Sequence, residues 1–196
     1  MSFSEAYLQA LINARVMGDF APFALGEQGK VEAYIRQLVD RLRQNTDLVI
    51  EADFASYGSG YASYVPVNIS KADKSDTTTL GTRQPVTYQT NGLLLYISRL
   101  VPYWFYGGSG WTASYEHGQR TGGSGGFLEP ASQADIDLAN WQATQQWLEA
   151  TFAEHRYRLL TAAELAQPAP ASITAIATIL ADAPYQVFDC FFYWED

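Results

Sequence analysis

The stretch GLLLYISRLVPYWFYG, Gly92 to Gly107, decides the fold class of this chain. Its β-branched and aromatic residues favour strands, and Pro102 would interrupt a helix. The stretch therefore predicts two strands on either side of residues 98–99, or one long strand bent there. Val86 and Tyr88, just before it, predict a further edge strand.

Upstream of this stretch, apolar residues recur at every second position, as they do in a strand with one buried face. The first such segment contains Leu48, Ile50, Ala52 and Phe54, and the second contains Val65, Val67 and Ile69. The polar residues 71–84 lack this alternation and predict an exposed loop.

Helical periodicity occurs towards both ends of the chain. Residues 27–44 carry one apolar stripe, and an earlier helix is predicted to begin at a cap formed by Ser2. Residues 132–155 predict a long helix with two opposite apolar faces, and residues 172–182 predict a last helix.

The C-terminal run YQVFDCFFYW, Tyr185 to Trp194, is apolar at both alternating sets of positions. It predicts a central strand that is buried on both faces, with Cys190 buried and unreactive inside it. The sequence as a whole predicts an α+β fold. We expect residues 1–196 to form a single domain, a mainly antiparallel sheet with N-terminal and C-terminal helices packed on it.

Two similar phrases, YGSGYASY at residues 57–64 and YGGSGWTASY at residues 106–115, predict two hairpins with glycine turns. The sequences before and after the two phrases are not similar to each other. We therefore interpret the phrases as the same type of turn sequence used twice and not as the result of a domain duplication. The glycine-dense residues 117–126 that follow predict a mobile loop.

The net charge of −9 is concentrated in one part of the chain: residues 129–196 contain ten acidic and two basic residues. Such a surface repels polyanions, which argues against nucleic acid as a partner. The acidic surface either serves solubility or forms a docking face for a basic protein partner.

The composition also bears on the compartment. No run approaches the roughly 18 apolar residues of a membrane span, and the N-terminal residues lack the pattern of a signal peptide. The single cysteine cannot build a disulfide framework, which is typical of a reducing compartment. We therefore expect a cytoplasmic protein without a membrane partner.

Three neighbouring residues, Glu116, His117 and Arg120, are candidates for acid–base chemistry on an anionic substrate, although a solvated hairpin tip has the same composition. Residues 122–126 match the pattern G-x-S-x-G, but a nucleophile elbow needs a strand directly before it and a helix directly after it. Glu51 and Asp53 share one face of a strand. They either hold a divalent cation or act as an acid–base pair, or they simply form a solvated surface.

Metal and cofactor sites have no support in the sequence. The two histidines, His117 and His155, and the single cysteine provide no zinc-binding spacing. The glycine patterns of nucleotide-binding loops are missing from the sequence as well. We therefore expect no cofactor and no metal.

Aromatic residues are the candidates for binding. Trp111 and Tyr115 lie next to glycines and could stack on a sugar or a peptide. Trp147 lies on the second face of the helix predicted at residues 132–155, where it is either covered by residues 173–180 or free for another chain.

The sequence thus favours a non-catalytic intracellular binding protein, of the immunity or inhibitor type, for a basic protein partner. Two alternatives stay open. One is a hydrolase-like enzyme that uses the loop Glu116–Arg120, and the other is an oligomeric structural subunit.

Overall fold

A long antiparallel hairpin forms the centre of the structure, a computed structural model that describes residues 3–81 and 83–196. Its two strands are β5 (Val86–Ser98) and β6 (Tyr103–Glu116), joined by twelve residue pairs. The prediction of strands on either side of residues 98–99 is confirmed. Val86 and Tyr88 belong to the first part of β5 and form no separate edge strand.

The described residues form seven further strands, of which five extend this hairpin into a sheet. They are β1 (Leu48–Ala52), β2 (Tyr61–Ala62), β3 (Tyr64–Lys71), β4 (Thr77–Thr79), β7 (Gln119–Gly125), β8 (Arg158–Leu159) and β9 (Trp194–Glu195). The order in the sheet is β1-β3-β5-β6-β7, with β4 beside β5 and β8 parallel to β6, while β2 and β9 pair separately. The predicted α+β class, with a mainly antiparallel sheet in one domain, is confirmed.

Helices pack on both faces of this sheet, and two of them cover the face that carries Trp104. The helices are α1 (Glu5–Ile12), α2 (Gln28–Leu42), α3 (Leu138–Glu154), α4 (Ala162–Leu165) and α5 (Val187–Phe191). On α3, Phe152 stacks on Trp104 of β6 with the ring centroids 3.8 Å apart. Of the predicted apolar stripe of α2, Tyr34 is half-buried, and the other members are fully buried: Val31, Ile35, Leu38, Val39 and Leu42. Both helices thus bury the alternating apolar side chains of the strands on this face.

The opposite face of the sheet is covered over only part of its length. Tyr64 and Tyr96 stack on it with centroids 3.9 Å apart, and Phe192, directly after α5, packs against both rings. Farther along the same face lie Thr90 and its partner Trp111, where no described helix covers the strands. We call this uncovered part the open half of the sheet.

The prediction of a central strand in the C-terminal run was wrong. This run forms helix α5 and the short strand β9. A capping box between Gln186 and Asp189 begins α5. In a helix of five residues with four buried apolar side chains, apolar residues occupy both alternating sets of positions, as in a central strand, so periodicity does not separate the two. The pairing of β9 with β2 then closes the C-terminal segment against the opposite face of the sheet.

Three other predicted segments differ in the structure. The helix predicted from Ser132 begins only at Leu138, because Asp137 caps it and residues 130–133 form a separate 3₁₀ turn. Leu138, which would lie on one of the two apolar faces predicted for this helix, is 62% exposed. Residues 172–182 form no helix, and the predicted loop at residues 71–84 contains β4, which pairs with β5.

The first helix and the second are found close to the predicted positions. Helix α1 begins after Ser4, whose side-chain oxygen accepts from the backbone N–H of Tyr7. The predicted cap Ser2 lies outside the described residues. Helix α2 matches the prediction for residues 27–44 to within two residues at each end.

The two glycine-rich phrases do not form two hairpins. The first contains a 3₁₀ turn at Ser56–Gly58, whereas the second lies wholly inside the straight strand β6. Gly107 is required there by packing, since a Cβ atom would lie 2.6 Å from the Cβ atom of Ser132. The predicted mobile loop at residues 117–126 is likewise mainly strand β7, hydrogen-bonded to β6.

Cys190 is fully buried, as predicted, although in α5 and not in a strand. Burial raises the pKa of its thiol to about 12, so the thiolate that reacts with disulfide reagents is scarce at neutral pH. We expect labelling by Ellman's reagent in native protein to be at least ~100-fold slower than in denaturant. Complete labelling of native protein within minutes would contradict this prediction.

Candidate functional site

A groove runs along the open half of the sheet. Its first part has a volume of about 520 Å³ and is lined by residues of six strands, of the segments on either side of β4 and of the β6–β7 turn. Three aromatic side chains form its walls, Tyr88 from β5 and Trp111 and Tyr115 from β6. We call it the aromatic groove.

Strand pairing places these aromatic residues on one face. Val86 pairs with Tyr115, Tyr88 with Ala113 and Thr90 with Trp111, and residues that pair directly point to the same side of a sheet. The rings of Tyr88 and Tyr115 meet edge to face with centroids 5.9 Å apart. The aromatic walls are therefore supported by the regular backbone of the central hairpin.

Glycines shape the floor and the outer wall of the aromatic groove. A Cβ atom on Gly92 would lie 2.5 Å from the indole ring of Trp111, so this ring lies directly over the glycine. On β7, Gly123 and Gly125 present no side chain, and the guanidinium of Arg120 lies beside Gly123. The glycine-rich composition of β7 thus leaves space next to Trp111.

Charged side chains are distributed unevenly along the groove. The first part contains the cationic side chains of Lys71, Lys74 and Arg120, together with His117. An adjoining cavity of about 410 Å³ shares Glu51, Trp111 and Arg120 with the first part and adds Asp53. The two cavities therefore form one continuous groove, basic at one end and acidic at the other.

Two further aromatic side chains close the acidic end. Tyr57 and Phe127 lie with their ring centroids 5.6 Å apart, and Trp194 packs against both rings. We call the cavity bounded by Glu51, Asp53, Tyr57, Trp111 and Phe127 the acidic pocket.

The turn that carries Tyr57 is held by the carboxylate of Asp53. Its two oxygens accept from the backbone N–H groups of Ala55, at 2.7 Å, and of Tyr57, at 2.8 Å. Ser56 and Tyr57 both have positive φ angles, 50° and 59°, a conformation that is costly for residues with a side chain. Burial raises the pKa of Tyr57, so its hydroxyl stays neutral at physiological pH.

The structure brings together four of the residues predicted from the sequence. Trp111, Tyr115, His117 and Arg120 all line the aromatic groove. Glu116 pairs with Gln119 at the tip of the hairpin and is not among the lining residues.

Trp147 lies away from this site. It borders a different depression, beside Asp47 and Thr144, and packs partly against the core. The predicted cover from residues 173–180 does not reach it, because Ile179 instead donates its N–H to the carbonyl of Trp194. Trp147 therefore forms no surface together with Trp111 and Tyr115.

Sequence reasoning missed three residues of the groove, Tyr88, Lys74 and Phe127. Tyr88 shares its alternation with Val86 and Thr90, which was a usable signal for one face of a strand. Phe127 and Lys74 lie outside regular elements, so only the three-dimensional path of the chain places them at the groove.

Among the described residues, the groove contains neither a nucleophile elbow nor a hydrogen-bonded group of Glu116, His117 and Arg120. Ser124 of the G-x-S-x-G match lies within β7, and its hydroxyl contacts that of Thr112 at 2.9 Å, so no strand–turn–helix elbow exists there. In the described part of the chain, no side-chain hydrogen bond joins Glu116, His117 and Arg120 to one another. The groove presents separate polar and aromatic groups to a ligand.

Residues 3–81 and 83–196 also bear on metal binding and on membrane insertion. This part of the chain contains no cluster of three or more histidine, cysteine, aspartate or glutamate side chains that could hold a metal ion. None of its helices has the length and apolar character needed to cross a membrane.

The fold and the groove define the protein as an α+β sheet protein with an open, aromatic-walled groove. No family of known proteins, no curated protein and no solved structure matches the chain.

Proposed function

We propose that this chain is a non-catalytic binding protein and that the aromatic groove and the acidic pocket are its ligand-binding surface. The observation that carries the proposal is the position of Trp111, which is only half-buried and borders both parts of the groove. Rigid, partly exposed aromatic side chains typically supply much of the binding energy of an interface.

The proposed ligand is a segment of a basic protein, which makes the chain an inhibitor-type or immunity-type protein. The net charge of −9 favours encounter with a basic partner over encounter with an acidic one. The groove also runs beside β7, an edge strand whose free backbone groups can pair with an extended segment. The single buried cysteine supports a cytoplasmic role, since it forms no disulfide.

A selection from a random twelve-residue peptide library, displayed on phage, tests this proposal. Peptides that bind the wild-type chain are expected to bind Trp111→Ala at least ~10-fold more weakly, because the variant lacks the central aromatic wall. Trp147→Ala is the matched control and should bind them unchanged, since Trp147 lies outside the groove. Tyr115→Ser provides a second groove variant at a residue that is already 36% exposed.

Circular dichroism and thermal unfolding establish that each variant is folded before its affinity is compared. Peptides whose affinity is the same for wild type, Trp111→Ala and Tyr115→Ser would contradict the proposal. A library that yields no binding peptide would contradict it as well.

A further inference from the structure

We infer that the acidic pocket binds the guanidinium group of an arginine side chain from the partner. This inference rests on the proposed function and adds the chemistry of one contact to it. The pocket combines two carboxylates with exposed aromatic rings, and a planar cation can satisfy both at once.

The carboxylates of the pocket are available to a ligand. Within residues 3–81 and 83–196, neither Glu51 nor Asp53 forms an ion pair. Glu51 is exposed, and Asp53 is engaged only by backbone N–H groups, which orient its carboxylate but leave its negative charge in place. The pocket thus holds two carboxylates that form no ion pair with another described residue, on one face of the sheet, and its lining also includes the guanidinium of Arg120. Asp53 in addition interacts electrostatically with the buried Arg99.

The aromatic walls suit a flat cation. Tyr57 is 38% exposed and Phe127 is 47% exposed, although both rings are fixed by contacts with each other and with Trp194. A guanidinium can stack on such a ring and still direct its N–H groups sideways to a carboxylate. A lysine ammonium offers no planar face, so the pocket should prefer arginine.

A substitution at Arg120 can distinguish a cationic ligand from an anionic one. Its guanidinium lines both parts of the groove and, in the described part of the chain, takes part in no ion pair. A cationic ligand in the acidic pocket is repelled by Arg120, whereas an anionic ligand would be attracted by it. Replacing Arg120 by glutamine should therefore strengthen the binding of a cation and weaken that of an anion.

The blocked tripeptide acetyl-Gly-Arg-Gly-amide is the probe, titrated while the indole N–H signal of Trp111 is followed by NMR. The signal is assigned by its loss in Trp111→Phe. The tripeptide should shift it with millimolar affinity. Glu51→Gln should weaken binding about fivefold, and Arg120→Gln should strengthen it about threefold.

Two charge-matched controls separate a local effect from the overall charge. Glu154→Gln, at an exposed position of α3, removes one negative charge, as Glu51→Gln does. Arg43→Gln, at the end of α2, removes one positive charge, as Arg120→Gln does. Both should leave the affinity unchanged within about 1.5-fold, because neither side chain lines the groove and salt screens exposed charges.

Three results would overturn the inference. The first is equal affinity for the tripeptide in which lysine replaces arginine. The second is binding of the glutamate tripeptide, if Arg120→Gln weakens that binding. The third is the absence of any shift of the Trp111 signal at about 20 mM arginine tripeptide. Library peptides that depend on Trp111 but lack arginine would also overturn it and would leave the proposed function intact. A library without Trp111-dependent peptides would instead contradict the proposed function.

Discussion

Replacing Arg99 by methionine is expected to lower the free energy of unfolding by about 3 kcal/mol. Arg99 follows β5, is 8% exposed and donates hydrogen bonds to the carbonyl oxygens of Phe54, at 2.9 Å, and of Ala62, at 3.1 Å. A third bond reaches the hydroxyl of Ser56 at 3.2 Å. Phe54 and Ser56 lie at the start of the turn that carries Tyr57, and Ala62 belongs to β2, so the guanidinium fixes this turn and β2 to the central hairpin.

The size of this effect follows from what methionine leaves behind. A buried ion pair can often be replaced by apolar side chains without loss, because both charged partners are removed together. Here the partners are backbone carbonyls, which remain buried and lose their donors, at a cost of about 1–3 kcal/mol each. Burial lowers the pKa of Arg99, which indicates that desolvation of the charge offsets part of the gain from its hydrogen bonds.

Urea unfolding followed by circular dichroism measures this loss. Arg43→Met is the control, since Arg43 is exposed at the end of α2 and pairs only with Asp40, and it should change stability by no more than about 0.5 kcal/mol. A loss below about 1 kcal/mol for Arg99→Met would show that the turn does not depend on this side chain. Where the variant folds, its acidic pocket should also bind the arginine tripeptide more weakly.

The parts of the fold that could be predicted from the sequence are those with a long, regular pattern. Helix α2 carries its stripe over fifteen residues, and β5 and β6 are rich in β-branched and aromatic residues. Helix α5 has five residues, too few for periodicity to distinguish a helix from a strand. Strand β7 has almost no apolar side chains and is a strand because β6 pairs with it, which is a non-local effect.

The site was predictable only in part, for a related reason. Trp111, Tyr115, His117 and Arg120 lie close together in sequence, and the β6–β7 hairpin keeps them close in space. Their meeting with Glu51 depends on the pairing of β1 with β3 and of β3 with β5. Local patterns do not encode such registers between strands that are distant in sequence, so the acidic pocket could not be assembled from the sequence alone.

The substitution Gly92→Ala links the fold to the groove, and it is expected to lower the free energy of unfolding by about 3 kcal/mol. Gly92 lies in β5, just beyond the last residue of that strand that pairs with β3. A Cβ atom there would collide with the carbonyl oxygen of Ile69 and would lie 2.5 Å from the indole of Trp111. The indole can turn away, but the carbonyl belongs to the backbone of β3 and cannot yield without disturbing the sheet.

The matched control is Gly122→Ala on β7, where no other atom lies within 4 Å of the added Cβ atom, and its effect should stay within about 0.5 kcal/mol.

The double variant Gly92→Ala with Trp111→Ala removes the collision with the indole but keeps the one with Ile69. It should therefore recover only part of the loss that Gly92→Ala causes, after the effect of Trp111→Ala alone is subtracted. Full recovery would place the whole conflict at Trp111, and no loss at all for Gly92→Ala would contradict the close approach of the Ile69 carbonyl oxygen to Gly92. Because the same ring borders both parts of the groove, the near-ultraviolet circular dichroism of Gly92→Ala should change even where the variant remains folded, and its affinity for groove-binding peptides should fall together with that signal.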